Sequence, residues 1–425
     1  MESTNQNRFK KAQGRSLALE ADSVLRSIKE EFDENHSAMD YFYDLFHQVY
    51  CEMKPVKRDK KVIGTMCIQA PEELIYAAGA EPVRLCNGSH TYEQVGAEQT
   101  SPRSCSLVNA TAGFLGSDNA SKKEEMEAVV IPITCDQKKK LVSILEKDGY
   151  NVIPLDIPSQ KDSDAGMQYW HNTINEFALS LQKVTGKKIT KKSLKDAIGK
   201  LNRARACMRK LTALRTESPT AILGKDVFLV TNAFFFDNID SWIDAVEKLN
   251  VELEKKVADD YSAGNRHAPR ILFTGTPPIF PNLKLPLLIE QLGGVIVADE
   301  VCSSSRLLHD AVTFSESNYF DMIPAIADRY IKPCTCPIFT RNDDRIRKLI
   351  ELAKSSKANG VVYQAYSGCQ LYSLEHQSVS EALAKEDIRM LYVETDYGFE
   401  DSGQLATRIE AFLESLKSKM KRSAK

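Results

Sequence analysis

Cysteine is the residue type whose placement points most directly to chemistry in this chain. Residues 129–139 read VVIPITCDQKK, and five of the six residues before Cys135 are apolar. An apolar run closed by a polar turn reads as a buried parallel strand. Cys135 then stands at the strand's C-terminal end, with Asp136 placed to cap a helix over 137–145. That edge of an open α/β sheet is where ligands bind. The same grammar returns at 360–370, GVVYQAYSGCQ, where an apolar strand runs out into Cys369. Two strand-end cysteines more than two hundred residues apart point to a site built between two similar halves.

The chain holds ten cysteines and seven histidines. In a reducing cytosol, thiols at this density hold metal or do redox chemistry more often than they form disulfides. The bland alternative is that each cysteine is a small buried hydrophobe; their recurrence at strand ends and in polar turns weighs against it. No CxxC…CxxC pair is present, which disfavours a zinc ribbon. None of the histidines has metal-ligand spacing, and His267, His309 and His376 read as solvated or structural. Thiolates spread over one cleft select soft metals, with iron–sulfur clusters the leading cytosolic candidate. Three thiolates leave one iron of a [4Fe–4S] cube open. Two such sets suit either two open cubes or one fused pair, and spacing does not choose between them.

Other candidates are weaker. Asp299 and Glu300, beside Cys302, read either as an acid/base pair or as a helix cap and an ion pair with Arg306; Arg306 alternatively holds an anionic group. The turn 275–278 (GTPP) reads as a phosphate- or CoA-facing turn or as a plain strand-to-helix loop. Neither GxGxxG nor GxxxxGK[ST] occurs, so no dinucleotide fingerprint or Walker site is supported, and any ATP is expected to be used by another protein.

The elements that must position these residues follow from pattern. The chain has 425 residues, 43% hydrophobic and 27% charged, with net charge −2. This is a globular composition of two or three domains without a basic footprint for nucleic acid. The first residues, MESTNQNRFKK, lack an apolar signal region, and no apolar run reaches ~18 residues. The expected location is cytoplasmic. A helical pattern over 16–52 breaks at 33–37, and Cys51 at its end reads as a bland thiol. Strands are expected at 60–67, 81–86, 129–135 and 151–158, then at 270–278, 295–302, 360–369 and 389–397. Between the two sets the pattern is helical, with 227–236 ambiguous between helix and strand. The fold class is α/β: two Rossmann-like parallel-sheet domains in pseudo-repeat, with helical N-terminal and central additions. The boundaries are a helical region at 1–58, the first α/β domain at 59–160, a helical bridge at 161–268, the second α/β domain at 269–400 and a C-terminal helix at 401–425. Laid over each other, the halves pair Cys86 with Cys302, Cys105 with Cys334 and Cys135 with Cys369.

At these residues the chain resembles the 2-hydroxyacyl-CoA dehydratase / benzoyl-CoA reductase family. The resemblance is carried by PEELIYAAGAEPVRL (71–85), the Cys105 segment, CDQKKK (135–140), GGVIVADEVCSSSR (293–306), PCTCPIF (333–339), GVVYQAYSGC (360–369) and VETDYGFEDSGQLATRIEAFLE (393–414). It covers most of residues 40–415. The resemblance implies two Rossmann-like domains, with Cys105, Cys135 and Cys369 as ligands of an iron–sulfur cluster in the cleft between halves. Cys67, Cys86 and the Cys334/Cys336 pair resemble the double-cubane cluster proteins, in which six cysteines hold an [8Fe–9S] cluster. The pseudo-repeat favours Cys86, Cys105, Cys135, Cys302, Cys334 and Cys369, with Cys67 and Cys336 as substitutes and Cys51 and Cys207 as non-ligands. The resemblance further implies a homodimer served by an ATP-hydrolysing activator with its own [4Fe–4S] cluster. The expected activity is reduction of a small molecule, with a [4Fe–4S] dehydratase subunit as the alternative and Glu300 and Arg306 as candidate catalytic groups.

Overall fold

The eight apolar runs form eight parallel strands, in two sheets of four. The structure is a computed structural model and describes residues 2–32, 36–117 and 124–423. The first sheet contains β1 (Lys61–Thr65), β2 (Ala80–Arg84), β3 (Met126–Ile133) and β4 (Val152–Asp156), in the order β2-β1-β3-β4. The second contains β5 (Arg270–Gly275), β6 (Val295–Glu300), β7 (Gly360–Tyr366) and β8 (Arg389–Thr395), in the order β6-β5-β7-β8. Every pairing is parallel. The halves therefore repeat one topology, as the order of runs and cysteines implies. Strands β6 and β7 are buried at every position, as strands covered on both faces must be. The outer strands β4 and β8 are more exposed.

The helices run back to the opposite edge of each sheet. In the first half they are α3 (Glu72–Ala77), α4 (His90–Gln99), α5 (Ser106–Ser117) and α6 (Asp136–Lys147). Gly79, Gly149 and Gly293 take positive φ at 73°, 85° and 86° just before β2, β4 and β6, which closes the preceding helix in the left-handed region and turns the chain into the strand. The predicted capping role of Asp136 is corrected: Cys135 is the N-cap residue, and Asp136 is the first residue of α6. Extended backbone carries Cys135 past the end of β3 before the helix can start, so its acidic neighbour falls in the first turn, where it still favours the helix dipole.

Helix α1 (Glu2–Glu30) and helix α2 (Asp40–Phe46) pack at the N-terminal side; the expected break at 33–37 falls largely outside the described residues. Between the sheets lie α7 (Asp164–Thr185), α8 (Lys191–Thr216), α9 (Gly224–Ala233) and α10 (Ile239–Ala258). The ambiguous run at 227–236 resolves largely as helix α9, buried along its whole length. Its buried Lys225 and Asp226 satisfy each other at 3.0 Å. Trp170 and Trp242 anchor the region, fully buried, each indole N–H donating to a carbonyl (Ala327, Val230) at 2.8 Å. The second half adds α11 (Lys284–Gln291), α12 (Ser305–Leu308), α13 (Tyr319–Ile331), α14 (Asp343–Ser355) and α15 (Gln370–Lys385). The C-terminal α16 (Ser402–Ser423) buries Leu405, Ile409, Leu413 and Leu416. Among the described residues no helix is long and apolar enough to cross a membrane.

Candidate metal centre

The strand ends bring eight cysteines to one place. Cys67, Cys86 and Cys302 each lie two residues beyond a strand, after β1, β2 and β6. Cys135 and Cys369 are the N-cap residues of α6 and α15, after β3 and β7. Cys105 immediately precedes α5, and Cys334 and Cys336 follow α13. All ten cysteines are free thiols. Cys86 and Cys302 occupy matching positions in the two halves, and so do Cys135 and Cys369.

Within the cleft the thiols form two sets. In one, the Cys105 and Cys369 thiols are hydrogen-bonded to each other, which lowers the pKa of Cys105 and raises that of Cys369, and Cys135 lies within electrostatic reach of Cys105. In the other, Cys67, Cys86, Cys302, Cys334 and Cys336 act on one another. Burial pushes the Cys302 thiol up to about 12, against the pull of Arg306. Burial also opposes ionisation of Cys67, but the charge of Lys138, a hydrogen bond from the Gln69 backbone and the charge of Arg84 together lower its pKa.

Lys138 joins the two sets. Burial acts to lower its pKa, but the charges of Cys67, Cys135, Cys86 and Cys302 raise it. Its Nζ is 3.4 Å from the Met66 carbonyl, the same oxygen that accepts from Cys86 Sγ at 3.5 Å. Arg84 and Arg306 bring two further cations to the thiols. Cys51 and Cys207 are elsewhere: Cys51 lies near Asp22 and Glu52, and Cys207 donates to Glu247 at 3.5 Å.

The surrounding shell fixes these loops. Gln69 Nε2 donates to Cys334 Sγ at 2.8 Å, and Lys161 Nζ donates to the Cys334 carbonyl at 2.6 Å. Glu300 is almost fully buried; it is bonded to Arg306 and Arg345 and accepts from Thr335 Oγ1 at 2.6 Å and Thr274 Oγ1 at 3.1 Å. Burial opposes its ionisation, but the two guanidinium groups hold its pKa down at about 2. Arg306 also donates to Tyr372 Oη at 3.0 Å. Asp299 does not share Arg306: it pairs with Arg215 at 2.6 Å and accepts from Ser304 Oγ at 3.0 Å and the Ser305 N–H at 3.1 Å. The turn 275–278 is committed to packing. Thr276 N–H donates to the Gln364 carbonyl at 2.8 Å, and Tyr366 Oη donates to the Pro277 carbonyl at 2.7 Å.

Among the described residues no three His, Cys, Asp or Glu side chains are drawn together as a cage for a single metal ion. A donor set made only of thiols, divided between two sheets and accompanied by the cations Lys138, Arg84 and Arg306, fits a soft polynuclear group with anionic ligands. The cations Lys138 and Arg84 and the amide of Gln137 do not stand out by spacing in the sequence. Gln137 and Lys138 lie in the first turn of α6, two and three residues after a strand-end cysteine, and that position is the available signal.

The family model described as 2-hydroxyglutaryl-CoA dehydratase, D-component, matches residues 67–416. YjiM of Escherichia coli (strain K12) is 29% identical over 365 residues, covering 85% of this chain and 92% of that protein. The beta subunit of (R)-2-hydroxyglutaryl-CoA dehydratase from Acidaminococcus fermentans is 27% identical, covering 84% and 93%. A benzoyl-CoA reductase subunit from Thauera aromatica is 24% identical, covering 86% and 92%. The matched segment starts at Cys67 and runs past Cys369, so it takes in every thiol of the cleft, and the chain belongs to the 2-hydroxyglutaryl-CoA dehydratase D-component family.

Proposed function

We propose that this chain is the iron–sulfur component of an ATP-driven reductase. It accepts low-potential electrons from a separate ATP-hydrolysing activator, which carries its own [4Fe–4S] cluster, and reduces a small molecule at a double-cubane [8Fe–9S] cluster. The observation that carries this reading is the second set of thiols. Cys105, Cys135 and Cys369 suffice for one open cube, whereas Cys67, Cys86, Cys302, Cys334 and Cys336 form a further set, and Lys138 interacts with thiols of both. When bound, such a cluster supplies one-electron transfer at low potential. The chain's own groups do the rest. Lys138, Arg84 and Arg306 offset the charge of the thiolates, and Glu300 clamps Arg306 in place. Glu300 serves here as a positioning group, because both of its oxygens are engaged and its proton is lost far below neutral pH. The working form is a cytoplasmic homodimer.

The relatives favour a second reading. Those named as dehydratase and reductase subunits are parts of multi-subunit enzymes, and one of them acts on (R)-2-hydroxyglutaryl-CoA by its name. In that reading the chain is the [4Fe–4S] subunit of a 2-hydroxyacyl-CoA dehydratase, ligated by Cys105, Cys135 and Cys369. Iron and acid-labile sulfide on anaerobically purified protein separate the two. The double cubane requires about eight irons and nine sulfides per chain, the single cube about four of each. Values near zero after reconstitution sink both.

A further inference from the structure

Gln69 lies in the turn after β1, two residues beyond Cys67. It is 1% exposed, and its side chain reaches the other half of the chain, where Nε2 donates to the Cys334 sulfur at 2.8 Å. Its backbone N–H donates to the Cys67 sulfur. One residue thus gives an N–H to a thiol from each half. The amide oxygen Oε1 is buried and has no hydrogen-bond partner. Among the described residues the Cys334 sulfur is therefore the amide's single hydrogen-bond partner. A buried amide placed for the fold alone would have both ends satisfied.

A thiolate bound to iron has no proton to give, so only the N–H end of the amide can face it. A donor aimed at the sulfur stabilises the more negative, reduced state more than the oxidised one, and hydrogen bonds to sulfur are among the factors that set a cluster's potential. The guanidinium groups on this side are already paired, Arg84 with Glu72 at 2.9 Å and Arg306 with Glu300. The Gln69 amide is neutral and needs no counter-charge. Gln137, at the other set of thiols, is used differently: both ends of its amide meet backbone, the Cys105 N–H and the Gly368 carbonyl. We propose that Gln69 is a positioning residue that raises the reduction potential of the iron held by Cys334, so that an electron added in the cleft rests on that side. The inference rests on the double-cubane reading, with Cys334 among the ligands.

The test is a dye-mediated redox titration of anaerobically purified holoprotein, followed by paramagnetic resonance and paired with iron analysis. Gln69→Leu keeps the approximate shape of the side chain and removes its N–H groups. It should hold the wild-type amount of iron and take up its first electron at a more negative potential, with an altered resonance spectrum. Gln69→Met makes the same deletion on a more flexible side chain should the first variant not fold. A wild-type potential in a variant that keeps wild-type iron overturns the inference. Loss of iron from both variants also overturns it, and makes Gln69 a group needed for assembly instead. Wild-type protein with about four irons per chain defeats the double-cubane reading and this inference with it; about eight irons with an unmoved potential in the variants defeats the inference alone.

Discussion

The backbone N–H of Cys105 donates to Oε1 of Gln137 at 2.7 Å, although Cys105 precedes α5 and Gln137 lies in the first turn of α6. The same amide donates through Nε2 to the Gly368 carbonyl at 3.0 Å, next to Cys369. One side chain therefore sets the spacing of two cysteines that come from opposite halves of the chain.

Gln137→Ala should remove both bonds and leave the buried Cys105 N–H without its acceptor. The expected loss is about 1–3 kcal/mol, read as a lower urea midpoint. A larger fall in iron per chain than in stability would show that the amide positions ligands; unchanged iron would reduce it to a fold contact.

Removing the charge of Glu300 should be severe. Glu300→Gln leaves Arg306 buried without a carboxylate and Arg345 with only Glu375, at 2.9 Å, a change expected to cost about 3–5 kcal/mol. The pH dependence has a definite sign. The folded pKa of about 2 lies below the usual ~4.3 of an unfolded glutamate. The contribution is therefore complete above that higher value and is lost as pH falls toward the lower one. Urea midpoints at pH 6 and pH 3 should converge between wild type and variant; a constant difference would exclude this pair as the source.

A panel of cysteine variants should divide along the geometry. Alanine at Cys105, Cys135 or Cys369 should cut iron per chain by about half or more, because each supplies a corner ligand of a cube. Alanine at Cys207 should leave iron unchanged, since its thiol faces Glu247. Comparing Cys67 with Cys86, and Cys334 with Cys336, identifies which member of each pair is a ligand. Iron loss in Cys207→Ala would overturn the assignment.

Two glycines should respond in opposite directions. A Cβ on Gly88 would sit 1.8 Å from the Ile279 carbonyl, and the Gly88 N–H donates to the Phe280 carbonyl at 3.2 Å. Gly88→Ala should force apart the loops after β2 and β5, at about 1–3 kcal/mol. Gly199, inside α8, has nothing within 4 Å of such an atom. Gly199→Ala should raise the melting temperature, by about 0.5–1 kcal/mol of added stability. Thermal unfolding of both variants checks the pair.

The strands are readable because fully buried parallel strands are written as continuous apolar runs, as in GVVYQAY of β7. The ambiguous 227–236 shows where that signal fails. An apolar run of that length suits a buried helix as well as a strand, and only the elements packed around α9 decide. The cysteines are legible because each ends a readable element. Arg84 and Lys138 are not, because a cation's place beside a thiol is set by contacts between segments far apart in sequence. Glu300 is legible as a member of an ion pair with Arg306, but its second partner, Arg345, lies 45 residues on in another helix.

The left-handed turns described above have a consequence for how this scaffold can change. Gly79, Gly149 and Gly293, with Lys357 before β7 and Asp387 before β8, all lie at the edge of a sheet away from the thiols. Those short connections join one covered element to the next and hold none of the eight cysteines. Each sheet thus has a conservative rim and a permissive one. Grafted loops, tags or surface charges placed at the permissive rim would alter solubility or partner choice without disturbing the sulfurs, which gives engineering and natural drift the same place to work.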